Sequence, residues 1–234
     1  MVPRVGLVGG LGPESTIDYY RRIIEVWRES SHGSAPSIVI DSLDVDLGIH
    51  LVQNDRSGLT DYLLESIQRL ERAGADFVAM AANTPHVVFD DLAARSPVPL
   101  LSIVDVCAVE ASRRGYATVG LLGTRFTMEA SLYPDVFLRR SIKVVAPTEV
   151  DRSWLHEHYI GELLRGVFRD ETRDGVVAMI RRLRQSSGID AIVFGGTELP
   201  LLLKVDSAEG LPTMDTTELH VRAIVQRLHS LSSA

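Results

Sequence analysis

Two stretches of this chain are written almost alike. Met80-Ala81-Ala82-Asn83-Thr84-Pro85-His86 and Phe194-Gly195-Gly196-Thr197-Glu198-Leu199-Pro200 each follow an apolar run and combine small residues, a threonine and an ionisable group. An imidazole near its ordinary pKa and a carboxylate raised by partial burial can move a proton at neutral pH, so His86 and Glu198 are the candidate acid and base. Asn83, Thr84 and Thr197 lie beside them, and Thr124 and Thr127 stand in a third turn, Gly123-Thr124-Arg125-Phe126-Thr127. Their side chains, with helix N-terminal amides, would make a neutral cradle of donors for a carboxylate. The competing use of the same residue types is helix capping.

A fourth turn, Gly9-Gly10-Leu11-Gly12-Pro13, suits backbone N–H groups facing a small anion, with Gly10 as its candidate substrate-binding residue. It departs from a dinucleotide loop, because G-x-G-x-x-G needs glycine at the position that Ser15 occupies. His156-Glu157-His158 is too closely spaced for an H-E-x-x-H zinc site and reads as the start of a helix. No G-x-S-x-G nucleophile turn is present. Neither a metal nor a cofactor is expected.

The elements that must position these turns alternate between apolar runs and amphipathic stretches. Val5 to Val8 precedes a helix over Glu14 to Arg28, whose Ile17, Tyr20, Ile24 and Trp27 mark an apolar face. The unit recurs as a strand over 37–40 before a helix over 59–73, a strand over 77–80 before a helix from Val87, and a strand over 98–101 before a helix over 104–113. A second series runs 118–122 before 128–138, 142–145 before helices over 154–168 and 172–185, and 191–194 before 199–203, with a last helix over 217–231. Strands apolar throughout and separated by helices imply parallel sheets covered on both faces. The series breaks near Arg114-Gly115. The reading is an α/β fold of two pseudosymmetric lobes, residues 1–114 with 213–234 and residues 115–212, with a ligand cleft between them. In such sheets ligands sit at the carboxyl ends of strands, where all four turns fall.

Composition narrows the partner. A formal charge of −7 with scattered Lys and Arg gives no footprint for nucleic acid or an anionic membrane. No apolar run approaches a membrane span, and the first residues enter a strand where a signal peptide would carry a longer apolar segment, so a cytoplasmic protein with a small-molecule partner is expected. The single cysteine, Cys107, excludes an internal disulfide and a thiolate metal cluster, and its apolar neighbours suit an inert buried thiol.

VGLVGGLGPESTIDYY, RAGADFVAMAANTPH, GLLGTRFTMEASLY, DAIVFGGTELPLL and the closing DTTELH together resemble the aspartate/glutamate racemase superfamily, which works without pyridoxal phosphate. The resemblance covers essentially the whole chain. It implies two α/β lobes enclosing an amino-acid substrate, a homodimer, and a two-base racemisation in which one thiolate removes the α-proton and a second thiol returns one. The family's motifs usually read C-N-T and G-C-T-E, which would place the cysteines where this chain has Ala82 and Gly196. Neither can exchange a proton, so authentic two-thiol racemisation is expected to be very weak or absent. The intact residues Asn83, Thr84, Thr124, Thr127 and Thr197 match the family's pattern for holding carboxylates, and Arg56 stands in the segment where relatives specific for acidic amino acids carry a cation.

Three readings remain open from the sequence. One is a cofactor-independent racemase or isomerase acting on an aspartate- or glutamate-like ligand by non-cysteine proton transfer through Glu198 and His86. Another is an enzyme of a different class, a lyase, decarboxylase or hydrolase, on a similar ligand. The third is a non-catalytic carboxylate-binding protein.

Overall fold

The computed structural model describes residues 3–30, 35–204 and 207–232. The chain divides into two compact units, Met1–Ile103 with His220–Ala234, and Val104–Leu219.

The first unit is built on a four-stranded parallel sheet, β2-β1-β3-β4, from β1 (Arg4–Gly9), β2 (Ser37–Ser42), β3 (Phe77–Met80) and β4 (Leu100–Leu101). Side chains alternate across a strand, and the two central strands divide their apolar residues accordingly. Val5, Leu7, Phe77 and Ala79 face α1 (Pro13–Ser30) and the C-terminal helix α11 (Thr216–Ser232), through Tyr19, Ile23, Trp27, Val221, Ile224 and Leu228. Val8, Val78 and Met80 face α3 (Arg56–Arg72), through Leu59, Leu63, Ile67 and Leu70. A sheet buried on both sides explains why β3 reads as an unbroken apolar run.

The second unit repeats the plan. Its sheet runs β6-β5-β7-β9-β8, from β5 (Thr118–Gly123), β6 (Lys143–Val145), β7 (Ala191–Gly195), β8 (Ser207–Ala208) and β9 (Leu211–Asp215). Four of its strands are parallel; β8 pairs antiparallel with β9 at the edge. Its helices include α5 (Ile103–Arg113, all but its first residue), α6 (Arg125–Glu129), α7 (Leu132–Leu138), α8 (Glu149–Gly161), α9 (Asp170–Ser187) and α10 (Leu199–Leu203). A shared detail shows the repetition at residue level. Gly74-Ala75-Asp76 precedes β3 and Gly188-Ile189-Asp190 precedes β7. Both glycines take positive φ, 85° and 56°, as the chain leaves a helix. The Asp76 carboxylate accepts the N–H of Arg4 at 2.6 Å, and that of Asp190 accepts the N–H groups of Ala117 and Thr118 at 2.8 Å each. Each aspartate thus ties the entry of its own strand to the entry of the strand beside it.

Several expectations are corrected. The buried face of α1 is Ser15, Tyr19, Ile23 and Trp27, while Ile17 and Tyr20 are 45% and 48% exposed. Hydrophobicity alone set the expected face, and it misses Tyr19, which buries because its hydroxyl finds a partner inside. An unanticipated helix, α2 (Val45–Asn54), starts where the Asp44 carboxylate accepts the N–H groups of Asp46 and Leu47. The helix expected over 128–138 is two, α6 and α7, separated by an extended Ala130. The helix expected from Val87 is a 3₁₀ turn, Thr84–Val88, followed by α4 (Phe89–Arg95). The helix expected over 154–168 is α8, capped by Thr148, and it is followed by a 3₁₀ turn, Leu163–Arg165, that closes at Gly166 with φ 71°. His156-Glu157-His158 therefore lies inside a helix and does not start one. Nearly all of α5 belongs to the second unit, and β9, which a boundary at residue 213 would cut, pairs with β7 within the second sheet.

Candidate functional site

The four turns singled out above sit at the carboxyl ends of β1, β3, β5 and β7. In the first unit, the N–H of Gly10 donates to the Thr16 hydroxyl at 2.9 Å, and that hydroxyl donates to the Gly12 carbonyl at 3.0 Å. The Gly10 amide that was expected to face an anion is thereby engaged within the turn. Glycine is needed at this position, because φ is 81° and a Cβ on Gly10 would come within 2.4 Å of both backbone atoms N and O of Leu43.

After β3, Ala82 and Asn83 are buried and Thr84 is half-buried. Asn83 opens the 3₁₀ turn without capping it through its side chain, so capping does not explain its burial. His86 is buried at the centre of this turn. Its Nδ1–H donates to the Ala82 carbonyl at 3.0 Å, and its Nε2 accepts the N–H of Ile103 at 3.3 Å, the first amide of α5. The ring stacks on Phe89 at a centroid distance of 5.3 Å. Burial, reinforced by nearby His220, pushes its pKa down to about 3. His86 is therefore a neutral ring with both nitrogens on backbone groups, and the expectation that it carries protons meets no disengaged nitrogen. His220 has the same character. Its Nε2–H donates to the Leu101 carbonyl at 3.1 Å, its Nδ1 accepts from Tyr19 at 3.0 Å, and burial lowers its pKa to about 4. Arg56, expected to hold a substrate carboxylate, is exposed in the first turn of α3.

In the second unit, Thr124 caps α6. Its Oγ1 accepts the N–H of Thr127 at 3.3 Å and lies 3.2 Å from the Thr127 hydroxyl. Here the capping reading holds alongside whatever else these buried hydroxyls do. After β7 the arrangement is different. Glu198 is 2% exposed, and one oxygen of its carboxylate, Oε2, accepts two hydrogen bonds, one from Thr197 Oγ1 at 3.0 Å and one from the Tyr159 hydroxyl. The N–H of Glu198 in turn donates to the Tyr159 oxygen at 3.2 Å. Burial, followed by the adjacent carboxylate, raises the phenol well above its ordinary pKa.

Tyr159 was not among the residues singled out from the sequence. With Leu155 it forms the buried stripe of α8, and by spacing alone that stripe reads as core. On the same helix His156 is half-buried against the turn after β5. Its Nδ1 accepts the Arg125 N–H at 3.4 Å, and burial, then Arg125, lower its pKa. Cys107 is fully buried and its thiol pKa is pushed up, chiefly by burial. Among the described residues, no group of three or more His, Cys, Asp or Glu gathers that could hold a metal ion, and no helix is long and apolar enough to cross a membrane.

Comparison with known proteins agrees with this architecture. A candidate Asp/Glu racemase from Yersinia pestis superposes with a TM-score of 0.82 at 32% identity, covering 97% of this chain and 99% of that one. An aspartate racemase homologue from Pyrococcus horikoshii gives a TM-score of 0.79 at 34% identity, with 100% of both chains covered. The broad-specificity amino-acid racemase RacX of Bacillus subtilis is 22% identical over 227 residues, which are 94% of this chain and 96% of the relative. The family model for Asp/Glu/hydantoin racemases matches residues 8–224. With strand-end turns in both α/β units and a family match across nearly its whole length, the chain belongs to the Asp/Glu/hydantoin racemase family.

Proposed function

We propose that this protein binds a small amino acid or related carboxylate, of the aspartate or glutamate kind, and moves its α-proton without thiols and without a bound cofactor. The observation that carries the reading is Glu198. A carboxylate is costly to bury, yet this one lies 2% exposed at the carboxyl end of β7, held by two hydroxyls beside a two-glycine turn. Buried titratable groups at strand ends are where proton chemistry is placed in folds of this kind. The names of the relatives, an amino-acid racemase and an aspartate racemase homologue, support the ligand class.

Ala82 and Gly196 stand where the resemblance puts the two cysteines, so two-thiol racemisation is not the reaction proposed. Glu198 is the proton-holding group in this reading. His86, hydrogen-bonded to backbone through both nitrogens, fixes the turn that carries Asn83. A non-catalytic carboxylate binder is the second reading, and the engaged nitrogens of His86 favour it.

The test uses L- and D-aspartate and L- and D-glutamate. A ligand-induced rise in Tm, together with loss of the α-proton NMR signal in D2O that disappears in Glu198→Gln, is the expected result. A rise in Tm without exchange selects the binding protein; no rise with any of the four removes the ligand class.

A further inference from the structure

The space that a side chain at position 196 would use is filled by Tyr159. A Cβ built on Gly196 would lie 2.5 Å from the Tyr159 hydroxyl oxygen, 2.7 Å from Cε2 and 2.9 Å from Cζ, all closer than real Cβ contacts come. The phenol therefore occupies the volume next to the turn that the resemblance assigns to a thiol. Its hydroxyl lies between two groups of Glu198, donating to the carboxylate and accepting the backbone N–H. Thr197 donates to the same Oε2, which fixes that oxygen in place.

We propose that the Tyr159 hydroxyl is the atom that meets the substrate's α-proton, with Glu198 as the base behind it, and that exchange takes place on one face of the substrate only. The inference rests on the reading above that an amino-acid α-proton is activated here. The pair begins as a phenol and a carboxylate. The α-C–H bond breaks and its proton passes to the Tyr159 oxygen, while the phenol O–H bond breaks and that proton passes to Oε2 of Glu198. The electron pair of the C–H bond stays on the substrate as a carbanion beside its carboxylate, and the protein pair ends as a phenol and a carboxylic acid. Reversal restores every bond. Because burial and the carboxylate raise the Tyr159 pKa, a free phenolate is disfavoured and both transfers belong to one step.

Return through the same Tyr159 oxygen puts the proton back on the face it left. In D2O the carboxylic acid of Glu198 trades its proton for deuterium, so the substrate exchanges with retention of configuration.

The experiment follows the four amino acids in D2O by proton NMR, with chiral analysis of the product and the ligand-induced Tm shift measured in parallel. Wild type, Tyr159→Phe and Glu198→Gln are compared. Tyr159→Phe keeps the ring that fills the space beside Gly196, and Glu198→Gln is a second route to the same step should that variant fold poorly. The expected result is deuteration of one enantiomer with retained chirality, and exchange slowed by about 100-fold or more in each variant while its Tm shift persists. Exchange in Tyr159→Phe within a few-fold of wild type overturns the role of Tyr159 and leaves the proposed function standing. Inversion of the substrate overturns the one-face claim. Binding without exchange in wild type overturns the relay and selects the binding protein, and an absence of both removes the ligand class and the relay together.

Discussion

Tyr19 donates a hydrogen bond of 3.0 Å to Nδ1 of His220, a residue 201 positions further along the chain. The tautomer is fixed by the other side of the ring, where Nε2 must donate because the Leu101 carbonyl can only accept. His220 and His86 are thus both buried as neutral rings, with ring centroids 6.5 Å apart.

A pH dependence of stability follows. Folded-state pKa values of about 3 for His86 and about 4 for His220 lie below the ordinary histidine value of 6.5, so the unfolded chain binds protons that the folded chain refuses. Their contribution is fully present above pH 6.5 and is lost as the pH falls from there toward the folded values. At pH 5 the loss amounts to about 2 kcal/mol for each ring. Urea unfolding between pH 7 and pH 5, above the range in which carboxylates titrate, should show this decline. His156, whose pKa is also lowered, adds to the same decline, so His220→Asn should reduce its slope by roughly a third to a half, and a flat profile in wild type would contradict the burial of both rings.

Gly196→Ala should destabilise the protein by about 1–3 kcal/mol, the usual cost of forcing extra volume into a filled site. The cost comes from the Tyr159 ring, 2.5–2.9 Å from the added carbon, so it should shrink sharply in a Tyr159→Ala background. Equal costs in the two backgrounds in chemical denaturation would place the strain elsewhere.

Gly188 provides a contrasting case. It ends α9 with φ 56°, and a Cβ there would meet nothing within 4 Å. Gly188→Ala should therefore cost only the backbone penalty, about 1–2 kcal/mol, and Gly188→Asn less, since asparagine tolerates this conformation better. Thermal unfolding of the two variants distinguishes them, and an unchanged Tm for Gly188→Ala would refute the assigned conformation.

Cys107, fully buried with its thiol pKa raised, should resist a thiol reagent such as DTNB in the native protein and react as one equivalent in urea. Rapid native labelling would show that α5 opens far more readily than a buried helix should.

Much of this fold was legible in the chain. β3 and α10 fall at 77–80 and 199–203 as periodicity placed them, because a strand buried on both faces and a short apolar turn of helix are written in neighbouring residues. The four turns were legible for the same reason, since glycine, proline and small polar residues punctuate the chain where strands end. α2 was missed although its Asp44 cap was in plain view, and the split between α6 and α7 was missed although Pro134, in the first turn of α7, marks the start of a new helix.

The sequence by itself determined the alternation of strands and helices, the family resemblance, and the absence of thiols at positions 82 and 196. Those are properties of single residues and their near neighbours. Only the tertiary structure decided what stands in place of a thiol at 196. Tyr159 and Glu198 are 39 residues apart, and their meeting depends on how α8 packs against the second sheet, at β5. It likewise turned α1 so that Tyr19, not Tyr20, faces inward, because a buried hydroxyl needs a partner and His220 supplies it. His86 reads as an acid or base in a motif. It becomes a neutral ring held by Ala82 and Ile103 once burial has penalised its charge and backbone groups have taken both nitrogens.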